Sequence, residues 1–312
     1  MDLYQKIFGS IISGIYGDAL GAPVELWSPE FILKRVGKIT KLIKTHKNDF
    51  IGQYTDDSEM IRAIIKSIIK MNGYVVTDII DSFKENYTPN RGYGYSTENL
   101  LKNNIIPENN KQTNGGIMRL IPVILFSLND SDYMFEKKII EHLSLTGHTH
   151  EKSIRYSIMF GKFIKFLINN NITINSIINY FKDHYSNDLI LMKIITNYIS
   201  NNDEMEIIKS FDIYSIDVDI TIFKAINSLL YNFSNPSQAI TRVIEYGGDT
   251  DTTASLLGNI IGIIYGYEWI DKEELYKIEN INEIMHELEN FNNLIKITNK
   301  IIKQNMMIED LR

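Results

Sequence analysis

Leu-Tyr-Gln-Lys-Ile-Phe-Gly-Ser-Ile-Ile-Ser-Gly-Ile-Tyr-Gly-Asp-Ala-Leu, residues 3–20, places Ile7, Ile11 and Ile15 four apart, with Phe8, Ile12 and Tyr16 beside them. That spacing predicts a helix buried around most of its circumference. Outward from it, Ser28-Pro29-Glu30 reads as a helix start, with Ser as cap and Pro at the first helical position. Met60, Ile64 and Ile68, with Ile61 and Ile65, define a helix closing at Gly73. The same period recurs near 76–87, 133–145, 151–168, 173–183, 219–232, 236–246, 250–266 and 281–304. Period-two alternation is nearly missing, and 37–45 reads as loop or one short strand. With six prolines, no Gly/Ser or Pro-rich linker and no fixed-period repeat, the expectation is an all-α chain forming one domain over 1–312.

Of the 312 residues 44% are apolar, and 14 Phe with 18 Tyr supply a core no disordered chain carries. A net charge of −7, with the two signs interspersed, excludes a sequence-blind nucleic-acid binder, which needs clustered Lys and Arg. Zero cysteines removes disulfides, thiolate metal sites and cysteine nucleophiles, and suits a reducing, cytoplasmic setting. The N-terminus lacks a basic region followed by an apolar run. The charge-free runs near 225–241 and 252–267 fall short of the ~20 apolar residues of a membrane span. Neither membrane nor nucleic-acid partners are expected, and a monomer is favoured.

Chemistry concentrates at two helix starts. Gly52-Gln53-Tyr54-Thr55-Asp56-Asp57-Ser58-Glu59 sets a hydroxyl and adjacent carboxylates ahead of the Met60 helix. Thr55 or Asp56 can serve as N-cap, and Asp56 with Glu59 has the spacing of a capping box. Gly247-Gly248-Asp249-Thr250-Asp251-Thr252-Thr253 repeats the pattern before an apolar run, with Asp249 in the turn and Asp251 in the first helical turn. If the two starts face each other, four aspartates crowd together and demand raised pKa values or a cation. All-oxygen donors favour Mg²⁺, Mn²⁺ or Ca²⁺ over Zn²⁺, and the number of carboxylates suits two ions.

Smaller features accompany these. Gly14, Gly17, Gly21 and Asp18 share a face of the first helix, where glycine permits close backbone approach, and Glu25 follows. Asn114-Gly115-Gly116-Ile117-Met118-Arg119 reads as a turn entering a helix, whose free amides can hold phosphate. His148-Thr149-His150 offers no third nitrogen or sulfur ligand and is not read as a metal site.

In order along the chain, Gly17-Asp18-Ala19-Leu20-Gly21 with Glu25, Tyr54-Thr55-Asp56-Asp57-Ser58, Arg91-Gly92-Tyr93-Gly94, Asn114 to Pro122, Thr149-His150 and Gly247 to Thr252 resemble the motifs of the ADP-ribosylglycohydrolase family. The ordered set spans 17–252 and is far more specific than any one member. The resemblance implies a compact, orthogonal multi-helical fold with two divalent cations, Mg²⁺ or Mn²⁺, at the bottom of an ADP-ribose cleft. It assigns Thr55, Asp56, Asp57, Asp249, Asp251 and Thr252 as metal ligands, with Glu25, Asp56 and Asp57 catalytic. It places Gly94, Asn114, Gly115, Gly116 and His150 on the substrate, Asp18 behind the ligands, and Arg119 in a structural role. The implied partner is an ADP-ribosylated protein or conjugate, and the Arg91–Gly94 loop with 147–150 favours an arginine linkage. Alternatives are serine-linked, polymeric or O-acetyl ADP-ribose, a phosphoesterase, or a non-catalytic ADP-ribose binder. The chain departs from the family pattern at Ser58, at Gly116-Ile117 and at Glu151-Lys152.

Overall fold

The long apolar periods do form helices in the computed structural model, which describes residues 1–309, with side chains through Lys300. They are α1 (Leu3–Gly21), α2 (Pro29–Arg35), α3 (Asp56–Met71), α4 (Val76–Glu85), α5 (Tyr95–Asn103), α6 (Ile121–Phe126), α7 (Asp132–Ser144) and α8 (Glu151–Asn169). There follow α9 (Ile174–Tyr185), α10 (Leu189–Ile199), α11 (Met205–Ile208), α12 (Val218–Tyr231), α13 (Pro236–Glu245), α14 (Thr250–Tyr265), α15 (Lys272–Leu275) and α16 (Ile281–Glu309). Among the described residues there is no strand, only antiparallel bridges at Trp27–Gly248 and Thr113–Asp217. Of the two readings of 37–45, loop is what forms, with Ile39 and Leu42 buried as anchors.

Local chemistry sets many boundaries. Ser28 caps α2 by accepting from Phe31 N at 3.3 Å. At the other end of α3, Asn72 takes the left-handed conformation and Gly73 N bonds Ile68 O at 3.1 Å, which satisfies the last carbonyls. Besides the short α6, α11 and α15, two longer helices escaped the periodicity. α5 buries only Thr97, Leu100 and Leu101, too few to mark a stripe. α10, started by Asp188 accepting from Leu191 N, leaves Leu189, Ile190 and Ile199 exposed, so apolar residues stand on its solvent side as well and blur its period.

The central event is the antiparallel pairing of α1 with α14, the most extensive helix contact in the molecule. Glycines line it on both sides. A Cβ added at Gly9 would lie 2.1 Å from Gly262 O, at Gly17 2.2 Å from Ala254 O, and at Gly258 2.2 Å from Ser13 O. No side chain fits between these backbones, so van der Waals contact is made by the main chains themselves. Thr250 Oγ1 donates to Gly21 O at 2.9 Å at one end of the seam. The end of α1 is thereby set beside the start of α14. Leu3–Val24 is apolar and long enough to cross a bilayer by composition, yet its apolar window is wholly buried, as in a core helix.

Candidate functional site

At the start of α3, Thr55 is the N-cap and accepts from Asp57 N at 3.3 Å. The main acceptor comes from another helix. Asp18 of α1, fully buried, accepts from Thr55 N at 3.0 Å, from Ser58 N at 3.0 Å and from Ser58 Oγ at 2.5 Å. The Asp56–Glu59 capping box expected from spacing does not form. Asp56 is already helical, and Glu59, itself buried, accepts instead from Thr88 N at 2.8 Å and Tyr93 Oη at 2.7 Å. With its amides answered from α1, this helix start leaves Asp56 and Asp57 free to face the interior.

At the start of α14 the device differs. Gly247 and Gly248 both have positive φ, +71° and +77°, and a Cβ at Gly248 would lie 1.8 Å from Ile213 O, so only glycine is accommodated. The turn is pinned by Leu26 N to Gly248 O at 2.7 Å and Gly248 N to Trp27 O at 2.9 Å. Those bonds carry Glu25 next to Asp249, with Leu26 itself at φ 63°. Behind the turn, the buried Lys224 ammonium donates to Ile213 O at 3.2 Å and Gly247 O at 3.4 Å. Asp249 holds the cap position without capping through its side chain, which instead accepts from Asn114 Nδ2. The same amide donates to Thr221 Oγ1 of α12 at 3.0 Å.

The two starts converge. Asp56 and Asp251, 195 positions apart by number, belong to one buried acidic group in which the pKa values of Asp57, Asp251 and Glu25 are raised, with the Asp249 carboxylate among the causes for each. Burial is the largest cause for each of Asp57, Asp251 and Glu25, and the neighbouring carboxylates add to it. Asp56 is pushed up to about 8 by burial and by Asp18, while Arg119 opposes the shift. The Thr252 hydroxyl favours the charged form of Asp57. Arg119, fully buried, faces Asp56 and Asp57, but its guanidinium bonds Met60 Sδ at 3.1 Å and Thr146 Oγ1 at 2.5 Å rather than a carboxylate.

Two carboxylate oxygens, Asp57 Oδ2 and Asp251 Oδ1, are buried with no hydrogen-bond partner. Such atoms are costly unless something positive answers them. This fits a hard cation bound by oxygen donors, in keeping with Thr55, Asp56, Asp57, Asp249, Asp251 and Thr252 all being buried at the two helix starts. Among the described residues, however, no three acid or imidazole side chains are drawn tightly enough to enclose an ion by themselves.

Of the other expected residues, Asn114 touches this group through Asp249. Asn114–Gly116 is a short 3-10 turn, and a further turn at 117–119 leads into α6. His150 is half-buried at the N-cap of α8, accepting from Lys152 N at 3.1 Å. Gly94 is the N-cap of α5 with open space about it, and a Cβ at the preceding Gly92 would lie 3.4 Å from Asp56 Oδ1. A cavity of about 40 Å³ opens between Glu25, Lys47, Asn48, Gln53, Thr55 and Gly92. Arg91 closes its far side through a bidentate pair with Glu279 at 2.5 and 2.7 Å and a bond to Tyr54 O at 2.9 Å. Sequence reading missed Lys224 and Thr221. The lone lysine inside the apolar run Ile222–Leu230 was the available signal, since a charge on a buried helix face must have a partner.

The fold is shared with a solved structure titled ADP-ribosylglycohydrolase-related protein complex, at TM-score 0.72 and 18% identity, covering 94% of this chain and 99% of that one. The chain belongs to the ADP-ribosylglycohydrolase family, whose profile matches residues 1–303. It is similar to the ADP-ribosylhydrolase ARH3 of Xenopus tropicalis, at 23% identity over 91% of this chain and 95% of the relative. It is also similar to the ADP-ribosylarginine hydrolase Tri1 of Serratia proteamaculans (strain 568), at 22% identity over 91% of this chain and 79% of the relative.

Proposed function

We propose that this protein removes ADP-ribose from modified proteins by hydrolysing the glycosidic bond at the anomeric carbon, in a metal-dependent reaction with arginine-linked ADP-ribose as preferred substrate. The observation that carries the reading is the meeting of two distant acidic helix starts, with Glu25 and the Asn114 turn beside them. Its support from relatives is family membership and the similarity to an ADP-ribosylarginine hydrolase.

Thr55, Asp56, Asp57, Asp249, Asp251 and Thr252 would hold two ions, Mg²⁺ or Mn²⁺, through oxygen donors alone. Bound there, the ions supply Lewis acidity and a template for the ribose hydroxyls. The chain's own residues do the remainder. Asp56 and Asp57 orient the attacking water from the start of α3, where Asp18 fixes their backbone. Glu25 lines the cavity, and burial with Asp249 and Asp18 nearby favours its protonated form, which suits donation to the leaving nitrogen or oxygen. After bond cleavage the same carboxylate can accept a proton from water, a one-acid variation on glycosidase chemistry. The glycines of the Asn114 turn present backbone amides to the diphosphate, with Gly94 and His150 along the rim.

The ARH3 relative is named without a linkage, which favours testing other bonds in parallel. Release of ADP-ribose is measured from arginine-, serine- and polymer-linked and O-acetyl substrates, each with and without chelator. Free ADP-ribose plus intact arginine, lost on chelation, is the expected result. AMP as product would reveal pyrophosphate cleavage, and tight ADP-ribose binding without turnover in Mg²⁺ or Mn²⁺ would make the protein a binder.

A further inference from the structure

His148, of the His148-Thr149-His150 stretch, has no place in the chemistry above, yet it is buried directly against the Asn114–Gly116 turn. Its Nε2 lies 3.1 Å from Thr113 Oγ1 and its Nδ1 3.0 Å from Thr146 Oγ1. Thr146 Oγ1 in turn accepts from Arg119 Nη2 at 2.5 Å, so a chain of polar contacts runs from the guanidinium facing Asp56 and Asp57 to the residue that opens the turn. Burial, with Arg119 and Lys111 nearby, keeps the imidazole neutral, and a neutral ring offers one donor and one acceptor, enough for both threonine hydroxyls. The fit is close on the glycine side as well. A Cβ at Gly115 would lie 2.9 Å from His148 Nε2 and 3.2 Å from its Cε1, and one at Gly116 3.0 Å from the His148 Cβ. The turn's other edge is tied to α12 through Asn114 Nδ2 to Thr221 Oγ1 and to the segment before it by Asn114 N to Ile216 O at 2.8 Å.

We propose that His148 is a positioning residue for ligand binding, a floor that sets the height of the Asn114–Gly116 turn, and that Gly115 is glycine because the imidazole occupies the space of a side chain. The proposal rests on the reading that this turn meets the diphosphate of ADP-ribose. The first amides of a helical turn have no partner within it, so their aim at a ligand is governed by what lies beneath. Raising the Gly115–Gly116 edge by a few tenths of an ångström misaligns those donors, while Asn114, anchored on Ile216 O and Thr221 Oγ1, keeps its bond to the Asp249 carboxylate.

The test is a double-mutant cycle of Gly115→Ala and His148→Asn, reading ADP-ribose affinity by calorimetry, KM and kcat on an ADP-ribosylated peptide, and Mn²⁺ affinity. Asparagine keeps the atoms near Thr146 and removes Cε1 and Nε2, the atoms nearest Gly115. G115A is expected to weaken ADP-ribose binding and raise KM about tenfold, with kcat and Mn²⁺ affinity within about twofold, and H148N to do the same. The double variant binds no more weakly than H148N alone, because the obstructing atoms are gone. Losses that multiply, an unaffected G115A, or a loss carried by kcat or Mn²⁺ affinity would each overturn the proposal. If H148N does not fold, the G115A result alone decides. Wild-type protein that neither binds nor releases ADP-ribose sinks the functional reading itself, whereas wild-type binding with independent variants sinks only the role of His148.

Discussion

The starts of α3 and α14 carry almost the same signature, short oxygen side chains and two acids ahead of an apolar helix, but they free their carboxylates by opposite means. At α3 a buried acid from α1 answers the backbone amides, so Asp56 and Asp57 are relieved of capping by another helix. At α14 the side chain of Asp249 makes no cap bond, and the turn before it is clamped through its carbonyls and amides by Lys224 and Trp27. The lesson is that an acid at a helix N-terminus signals function only where something else does the work of satisfying the helix. One start depends on a side chain and the other on glycine backbone, and substitutions can separate them.

The largest expected effect falls on chemistry. Asp251→Asn should cut turnover by about a thousandfold or more, in the range seen for loss of electrostatic stabilisation at a reacting centre. Its melting temperature in chelator should stay level or rise, because a crowded buried charge has been removed. Near-normal release of ADP-ribose by D251N would reject the role given to this helix start. Gly248→Ala comes next. It combines a φ of +77° with a Cβ 1.8 Å from Ile213 O, and should destabilise by about 2–4 kcal/mol while displacing Asp249. Chemical denaturation with a parallel activity assay checks both parts. Asp18→Ala is expected to cost about 1–3 kcal/mol, from donors left unanswered at α3, with the loss of activity exceeding that of any comparable change outside the cleft.

The pH dependence sharpens the comparison further. Asp56, Asp57 and Asp251 have folded-state pKa values raised above those of an unfolded chain. The native state therefore binds more protons than the unfolded state, and stability falls as pH rises from about 4 through 8, the value reached by Asp56. Urea denaturation of chelator-treated protein should show this decline, and Asp56→Asn should flatten it. A stability that rises over that window would contradict the crowding. The smallest effect is at Gly94→Ala, where the added Cβ meets open space and φ is −60°. Stability should change by less than about 0.5 kcal/mol, leaving any rise in KM to report contact with substrate.

Much of this was legible before folding. The stripe Ile7, Ile11, Ile15 set α1 to within a residue, Ser28-Pro29 started α2, and the two acidic segments opened α3 and α14 where their hydroxyls and acids indicated. Helices α5 and α10 were not legible, one with too few apolar residues and the other with too many. The capping box at Asp56 and Glu59 was a false local solution. Glu59 found better partners in Thr88 and Tyr93, residues distant in sequence.

By itself the sequence determined where helices begin and which acids stand at their starts, because capping and periodicity are interactions among residues a few positions apart. Only the tertiary structure decided that the two starts meet, that Asp18 caps a helix it does not belong to, and that His148 lies beneath a glycine turn. The reason is physical. Main-chain contact along the glycine seam of α1 and α14 sets the distance between residues some two hundred positions apart, and no local energy encodes that distance.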